Sequence, residues 1–251
     1  MCEAQSARAG RGWSRFGALA VFALAGLVLS ACAGGPSTDP NDPYESWNRE
    51  VFDMNMKLDR NVAKPLAKGY VAAVPEPARD GVHNFLGNLG QPVIFVDSVL
   101  QGEANNAADT FGRFFINTTV GVGGLVDMAS KMGVPSHETD FGITLGRWGV
   151  GPGPFLMLPL LGPSDPRDLA GLGVDTAIDP RTWITYRSSV YYNMGLGFLG
   201  LVDMRANNLD ELDSLQRTSV DFYATTRNLY MQYRKAQVNK GQPDVQDLPN
   251  F

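Results

Sequence analysis

Cysteine and histidine are close to absent: the 251 residues hold two of each. Two cysteines cannot make a disulfide scaffold, and two histidines do not bring them up to a zinc site. Positive charge is also in short supply. Lys+Arg number 21 against 26 Asp+Glu, a formal net charge of −5, which leaves no electrostatic footprint for nucleic acid. No G-x-S-x-G, H-E-x-x-H, Walker loop or C-x-x-C occurs, so the usual hydrolase, zinc and phosphate-loop chemistries lack their parts. Internal repeats and interdomain linkers are missing too, which points to one domain. What is present is globular usage, 44% hydrophobic and 19% charged, which excludes a wholly disordered or collagenous chain. Glycine is in excess: 28 residues, about 11%, against a usual ~7%. Backbone freedom is needed in several places.

Arg8, Arg11 and Arg15 face a lone acid, Glu3, and Phe16 to Leu29 then runs FGALAVFALAGLVL without a charge. A basic start followed by a 14-residue apolar stretch is a secretory signal, too short for a comfortable membrane span. The next residues, Leu29-Ser30-Ala31-Cys32, resemble the lipobox of bacterial lipoproteins. That resemblance implies removal of residues 1–31, a covalent diacylglycerol and an N-acyl group on Cys32, and, with Ala33 rather than Asp after the anchor, delivery to the outer membrane. An ordinary signal peptide cut near Ala31-Cys32-Ala33 is the alternative. A single acyl chain binds a bilayer only marginally, so a multiply acylated cysteine means stable anchoring. Processing removes three of the 21 basic and one of the 26 acidic side chains, leaving 18 and 25, a net charge of −7. Cys32 is then the only cysteine, and no intramolecular disulfide can form.

Residues 32–41 read as a flexible Gly/Pro/Ser tether, 42–240 as one helical domain and 241–251 as a disordered tail. Asp42-Pro43-Tyr44-Glu45 has the grammar of a helix start, with Asp as N-cap. Trp47, Val51, Met54, Leu58, Val62 and Leu66 follow at spacings of four and three, a stripe that Pro65 is expected to kink or end. Asp179-Pro180 and Asp165-Pro166, the latter with Ser164 as cap, repeat that grammar, and Val74-Pro75-Glu76-Pro77 opens a helix through Phe85 and Leu89. Leu212, Leu215, Ser219, Phe222, Thr226, Leu229 and Tyr233 keep helical spacing near the end. Val93 to Val96 and Phe114 to Val122 are strand-like patches, but hairpin alternation is missing. An all-α domain follows. Three stretches of it carry no charge: Phe114 to Val126, Trp148 to Ser164 and Ser188 to Val202, of 13, 17 and 15 residues. None reaches the ~18–20 needed to span a bilayer, so they are either core or lie in a membrane interface.

Gly195-x-Gly197-x-x-Gly200 matches a dinucleotide fingerprint by letters but lacks the βαβ context, and close helix packing explains it better. His83 stands alone, and His137-Glu138-x-Asp140 lacks an activated nucleophile, so no catalytic residue is assigned. The informative segment is Asp140 to Pro159, DFGITLGRWGVGPGPFLMLP. Alternating glycines and interspersed prolines predict a hairpin-like turn hinged at glycine, with an apolar sequel that has nothing polar to expose.

Along nearly all of the mature sequence the chain resembles the MlaA/VacJ family of phospholipid-transport lipoproteins. The resemblance rests on motifs in register: Asp42-Pro43-x-Glu45-x-x-Asn48-Arg49-x-x-Phe52-x-x-Asn55; Pro75-x-Pro77-x-Arg79-x-Gly81-Val82-x-Asn84-Phe85; Leu100-Gln101-Gly102; Arg113-Phe114-x-Ile116-Asn117-Thr118-Thr119; Asp127; the Asp140 to Pro154 stretch; and Leu161-Gly162-Pro163-Ser164-x-x-Arg167-Asp168. Residues from Leu209 onward add little to it. It implies an all-α, ring-like protein lying in the periplasmic, inner leaflet of the outer membrane. A central channel there takes phospholipid from the outer leaflet to a soluble periplasmic carrier, with trimeric porins as partners and with no bond broken, no cofactor and no metal. On that reading Gly149, Gly151, Gly153 and Pro154 form the hinge or hairpin. Phe155, Leu156, Met157 and Leu158 contact acyl tails, and Arg147 belongs to the lipid pathway. Arg113, Asp127, Arg147, Arg167 and Asp168 should be ion-paired or line a wet channel, since a buried unpaired charge is costly. A lipid-anchored adaptor for porins or envelope assembly is the alternative from another class, and a lipid-modifying hydrolase using His83 and His137 is a third.

Overall fold

The apolar spacing after Trp47 winds into α1, Glu45–Leu58, with Val51 and Phe52 turned inward. Asp42 does not cap it. The N-cap is Tyr44 without a side-chain bond, because the Asp42 carboxylate is fully buried and accepts instead from Asn48, Arg227 and Tyr223. The computed structural model describes residues 42–183 and 189–240, so Cys32, the tether and the tail from 241 to 251 lie outside the described residues. Pro65 neither ends nor breaks the path. A π-helical turn over Asp59–Ala63 precedes it, and α2, Lys64–Ala73, carries on with the proline near its start, where no amide hydrogen is needed.

Val74 is extended, as a residue before proline prefers, and α3 then runs from Glu76 to Leu100 with Pro92 inside it. A tight turn at Gly102, φ 73°, reverses the chain into α4, Ala104–Thr119. Val93–Val96 and most of Phe114–Val122 therefore belong to helices. The two helices pack along each other, with Phe95 against Phe111 at 5.9 Å, and that tertiary contact overrides local strand preference. A single turn, α5, Met128–Lys131, is capped by Asp127, and α6, Phe141–Arg147, by Asp140.

A small antiparallel hairpin follows, β1 (Leu156–Leu158) with β2 (Gly162–Ser164), in which Met157 faces Pro163. Helix α7, Pro166–Ile178, is capped by Asp165 rather than Ser164, since Asp165 Oδ1 accepts the Asp168 amide at 2.8 Å. Short α8, Pro180–Trp183, and long α9, Ser189–Asn207, come next. The C-terminal stripe is two helices, not one: α10, Leu209–Thr218, and α11, Phe222–Val238. Asp221 accepts the Ala224 amide and restarts the helix there.

Helix α3 packs along α4, α9 crosses α2 and α3, α6 lies on α7, and α1 backs β1. The apolar core is a small one, in the corner between α1, the hairpin and α11. Phe52 meets Phe222 and Tyr223 edge-on at 5.4 and 5.6 Å, and Phe155 meets Tyr223 and Tyr230 at 6.1 and 6.0 Å. Elsewhere the interior is polar: Asp97, Thr110, Arg113, Asn117, Thr144 and Arg167 are buried, while large apolar side chains stand outside. That distribution is inverted relative to a freely soluble domain. Among the described residues no helix is long and apolar enough to cross a membrane.

Candidate functional site

The glycine-rich segment divides into a helix, a loop and a strand. Asp140 Oδ1 accepts the Ile143 amide at 2.8 Å and starts α6 in spite of its two glycines. One of those glycines has a packing reason. A Cβ on Gly171 of α7 would lie 2.3 Å from the Gly142 amide nitrogen, so α6 and α7 cross backbone against backbone. After α6 the chain runs irregularly from Trp148 to Pro154, with Gly149 and Gly153 at φ 92° and 78°. Gly149, Gly151, Gly153 and Pro154 thus precede the hairpin instead of forming it. The reversal falls at Pro159–Leu161, because Leu156–Leu158 and Gly162–Ser164 are the residues that pair.

Two asparagines of α1 hold that hairpin. Asn48 donates to Phe155 O at 3.0 Å and accepts from Met157 N at 2.8 Å, while Asn55 donates to Leu158 O and accepts from Leu160 N, both at 2.9 Å. Seven residues apart, they lie on one helix face and pair with the backbone as a neighbouring strand would. Strand alternation then decides the apolar run. Phe155 and Met157 are each 2% exposed and belong to the core; Leu156 and Leu158 are half-buried. The expectation that all four contact acyl tails is corrected for Met157, which is enclosed by protein, and Phe155 shows only as part of a cleft wall. Leu160 and Leu161 at the turn are 68% and 63% exposed.

That cleft has a volume of about 680 Å³, within the range of small-molecule sites. Gly149, Val150, Pro152 and Phe155 form one wall, and Tyr230 and Met231 of α11 another. Its polar side is an ion network. Arg234 reaches Asp168 at 2.5 Å and Asp140 at 2.7 Å; Arg167 reaches Asp168 at 3.0 Å. Burial would raise the Asp168 carboxyl, but hydrogen bonds from Arg234 and Tyr230 hold it below its usual value. Arg147 does not face the cleft as a free charge. It is tied to Glu103 at 2.6 Å, to Gln101 and to the Gln237 carbonyl, fastening α6 to the α3–α4 turn and to α11. Arg113 likewise pairs with Asp127 at 2.7 Å, so each charge expected to be paired is paired.

The contribution of α11 is not visible in the family motifs. Tyr223 and Tyr230, and Arg227 and Arg234, are each separated by seven residues, so this helix presents one face of aromatic and basic groups to the site. That spacing was the available signal.

Apart from Phe155 and Met157, the described apolar residues of the uncharged stretches stay out of the core. Phe115, Val122, Leu125, Trp148, Val150, Tyr191, Met194, Phe198 and Leu201 are all exposed. Gly195, Gly197 and Gly200 lie inside α9 with open space where a Cβ would be, so neither a dinucleotide loop nor a close helix crossing explains them. His83 Nδ1 lies 2.9 Å from Asp203 and 3.2 Å from Asn207, and His137 Nε2 2.9 Å from Asp109. No serine, threonine or cysteine nucleophile is bonded to either histidine among the described residues.

A polar interior, an apolar exterior concentrated in uncharged segments, and an absence of spanning helices among the described residues define a class: a helical protein shaped for a lipid interface. The family model described as MlaA lipoprotein matches residues 40–237. The chain is 36% identical over 238 residues to the intermembrane phospholipid transport system lipoprotein MlaA of Shigella flexneri and to that of Escherichia coli strain K12, across 92% of this chain and 93% of each relative. The protein of that name in Haemophilus influenzae is 35% identical over 225 residues, 87% of this chain and 89% of its own. A solved structure described as the structural basis for maintenance of bacterial outer membrane lipid asymmetry matches with a TM-score of 0.71 at 36% identity, covering 79% of this chain and 99% of that one. The chain belongs to the MlaA lipoprotein family.

Proposed function

We propose that the protein is an outer-membrane lipoprotein, anchored by acylated Cys32 in the periplasmic leaflet, that extracts phospholipid from the outer leaflet. It passes the lipid through an amphipathic passage, around which the helices form a ring, to a soluble periplasmic carrier. A trimeric porin steadies it, and no covalent bond is made or broken. The observation that carries this reading is the outward placement of most apolar side chains of the uncharged segments around a polar, ion-paired interior. Apolar rims of this kind sit in one leaflet without crossing it, while a headgroup slides past polar walls. Kinship supports it, since the relatives at 36% identity are named for intermembrane phospholipid transport.

Phospholipid exposed on the surface of cells lacking the protein should rise and be restored by the wild-type chain; an unchanged surface sinks the conduit. Purification in mild detergent separates it from the adaptor reading. A conduit brings phospholipid with it or transfers it to a carrier on reconstitution, whereas an adaptor brings only protein.

A further inference from the structure

Asp97, near the end of α3, is fully buried, and its Oδ2 has no hydrogen-bond partner; Oδ1 takes only a long bond from Thr144 Oγ1, at 3.4 Å. Three elements bring charged groups to it and to the neighbouring Asp175. From α7 comes Asp175, whose two carboxylate oxygens both accept the Phe141 amide at 3.2 Å. From the start of α6 comes Asp140, and from α11 comes Arg234, which is committed to Asp140 and Asp168. On Asp97's own helix, Gln101 gives its amide to Thr139 and Thr144, and Arg147 beyond it is held by Glu103. Arg234 acts on Asp175 only through its charge, so among the described residues no ion pair neutralises the two carboxylates at the N-terminus of α6. A bare buried carboxylate oxygen without a donor is among the costliest arrangements a protein interior can hold.

We propose that Asp97 and Asp175 share one proton, and that this acid pair is a pH-sensitive clamp fixing the start of α6, and with it the Gly149–Gly153 wall of the cleft, between α3 and α7. The proton on Asp97 Oδ2 is donated to the Asp175 carboxylate, which keeps its remaining lone pairs for Phe141 N. It leaves to solvent as pH rises, and the two anions then repel across the α3–α7 seam. Burial, followed by the charges of Asp175 and Asp140, pushes Asp97 up to about 7. Burial first of all raises Asp175 as well. The folded value lies above the ordinary 3.8, so the stabilisation is complete at acid pH and is lost as pH rises through about 7. The clamp stands on the buried, unpartnered Asp97 oxygen and on the Asp175 bonds to the start of α6. Its effect on lipid passage rests on the transport reading, and the test uses no transport assay, so the two fail separately.

Infrared titration of the full chain in detergent should show a protonated carboxylic acid below neutrality that vanishes as pH rises, and Asp97→Asn should lack it. The thermal midpoint of the wild type should fall by roughly 5 °C between about pH 5.5 and about pH 8.5. Asp97→Asn, which keeps a donor towards Asp175, should flatten that step. His83→Gln with His137→Gln should leave it. Hydrogen exchange in residues 141–153, corrected for intrinsic rates, should rise across the same interval. Absence of a titrating buried acid in the wild type overturns the clamp, as does a step that survives Asp97→Asn. A step that follows sodium concentration at fixed ionic strength means a bound cation instead and also overturns it. If Asp97→Asn does not fold, Asp175→Asn and the wild-type infrared titration decide alone.

Discussion

Met157 donates its backbone amide to the side chain of Asn48 at 2.8 Å, across 109 residues of sequence. The same side chain donates to Phe155 O and to Asp42 Oδ1 at 2.7 Å, so one buried amide joins the first described residue, α1 and the hairpin. Asn48→Ala leaves a buried amide, a carbonyl and a carboxylate each short of a partner. At about 1–3 kcal/mol for each orphaned group, partly relieved by relaxation, a loss of about 3 kcal/mol is expected in denaturant unfolding. Asn55→Ala, whose partners include the exposed Leu160 turn, should cost less. Equal losses would contradict this account of the hairpin.

Arg113 and Asp127 form another interior tie, at 2.7 Å, with Asn117 and Ser130 also bonded to the carboxylate. Burial would raise Asp127, but the Ser130, Asn117 and Arg113 hydrogen bonds hold it well below the carboxylate range. The depressed value means that its stabilisation is present above the ordinary 3.8 and is lost as pH falls below it. Asp127→Asn should cost about 3 kcal/mol at neutral pH, because Arg113 remains buried without its counter-charge. The gap between variant and wild type should narrow in acid, as read by thermal midpoints down to about pH 3.

How much of this was legible in the sequence follows from the range of the interactions involved. Helical spacing and the Asp-Pro starts are local, and α3, α7 and α8 lie where those signals put them. Local grammar makes Asp42 a cap, whereas its partners Tyr223 and Arg227 lie more than 180 residues away, where no local rule reaches. The position of the hairpin escapes local rules for a related reason. Glycine and proline announce irregular backbone, but pairing of Leu156–Leu158 with Gly162–Ser164 is fixed by the asparagines of α1. Likewise, Met157 reads as an apolar residue in an uncharged run, and only the strand's alternation shows which side it takes.

Two glycines of α7 make opposite predictions. Gly171→Ala places a methyl group against the Gly142 backbone, which cannot move aside as a side chain can. Forced separation of α6 from α7 should cost about 2–3 kcal/mol. Gly173→Ala meets open space in the same helix and should stabilise by about 0.5–1 kcal/mol. Similar unfolding midpoints for the two variants would remove the close-crossing argument.

Gly149 has φ 92° and open space around it, so its backbone angle, not crowding, is what a side chain would disturb. Gly149→Val with Gly151→Val should stiffen and redirect the cleft wall while the ion-paired core stays folded. Reduced removal of surface phospholipid is expected, with unchanged anchoring. Full lipid asymmetry in cells carrying this double variant would reject a hinge at these positions.

The exposed turn of the hairpin gives the most direct measure of the membrane-facing reading. Leu160 and Leu161 are 68% and 63% exposed, bonded only through backbone, and contribute little to the core. Leu160→Glu with Leu161→Glu should therefore leave the thermal midpoint in detergent within about 2 °C of wild type. In a bilayer the same pair has a different task, since each apolar side chain moved from water into the interface contributes a fraction of its full ~1.5–3 kcal/mol. A combined loss of about 2 kcal/mol corresponds to roughly 30-fold weaker partitioning. The measurement needs the lipid anchor removed, by Cys32→Ser, so that vesicle sedimentation reports the protein surface alone. Undiminished binding by the double glutamate variant would place the contact with lipid elsewhere, on the exposed faces of α4 or α9. A large drop in midpoint would instead make these leucines part of the fold.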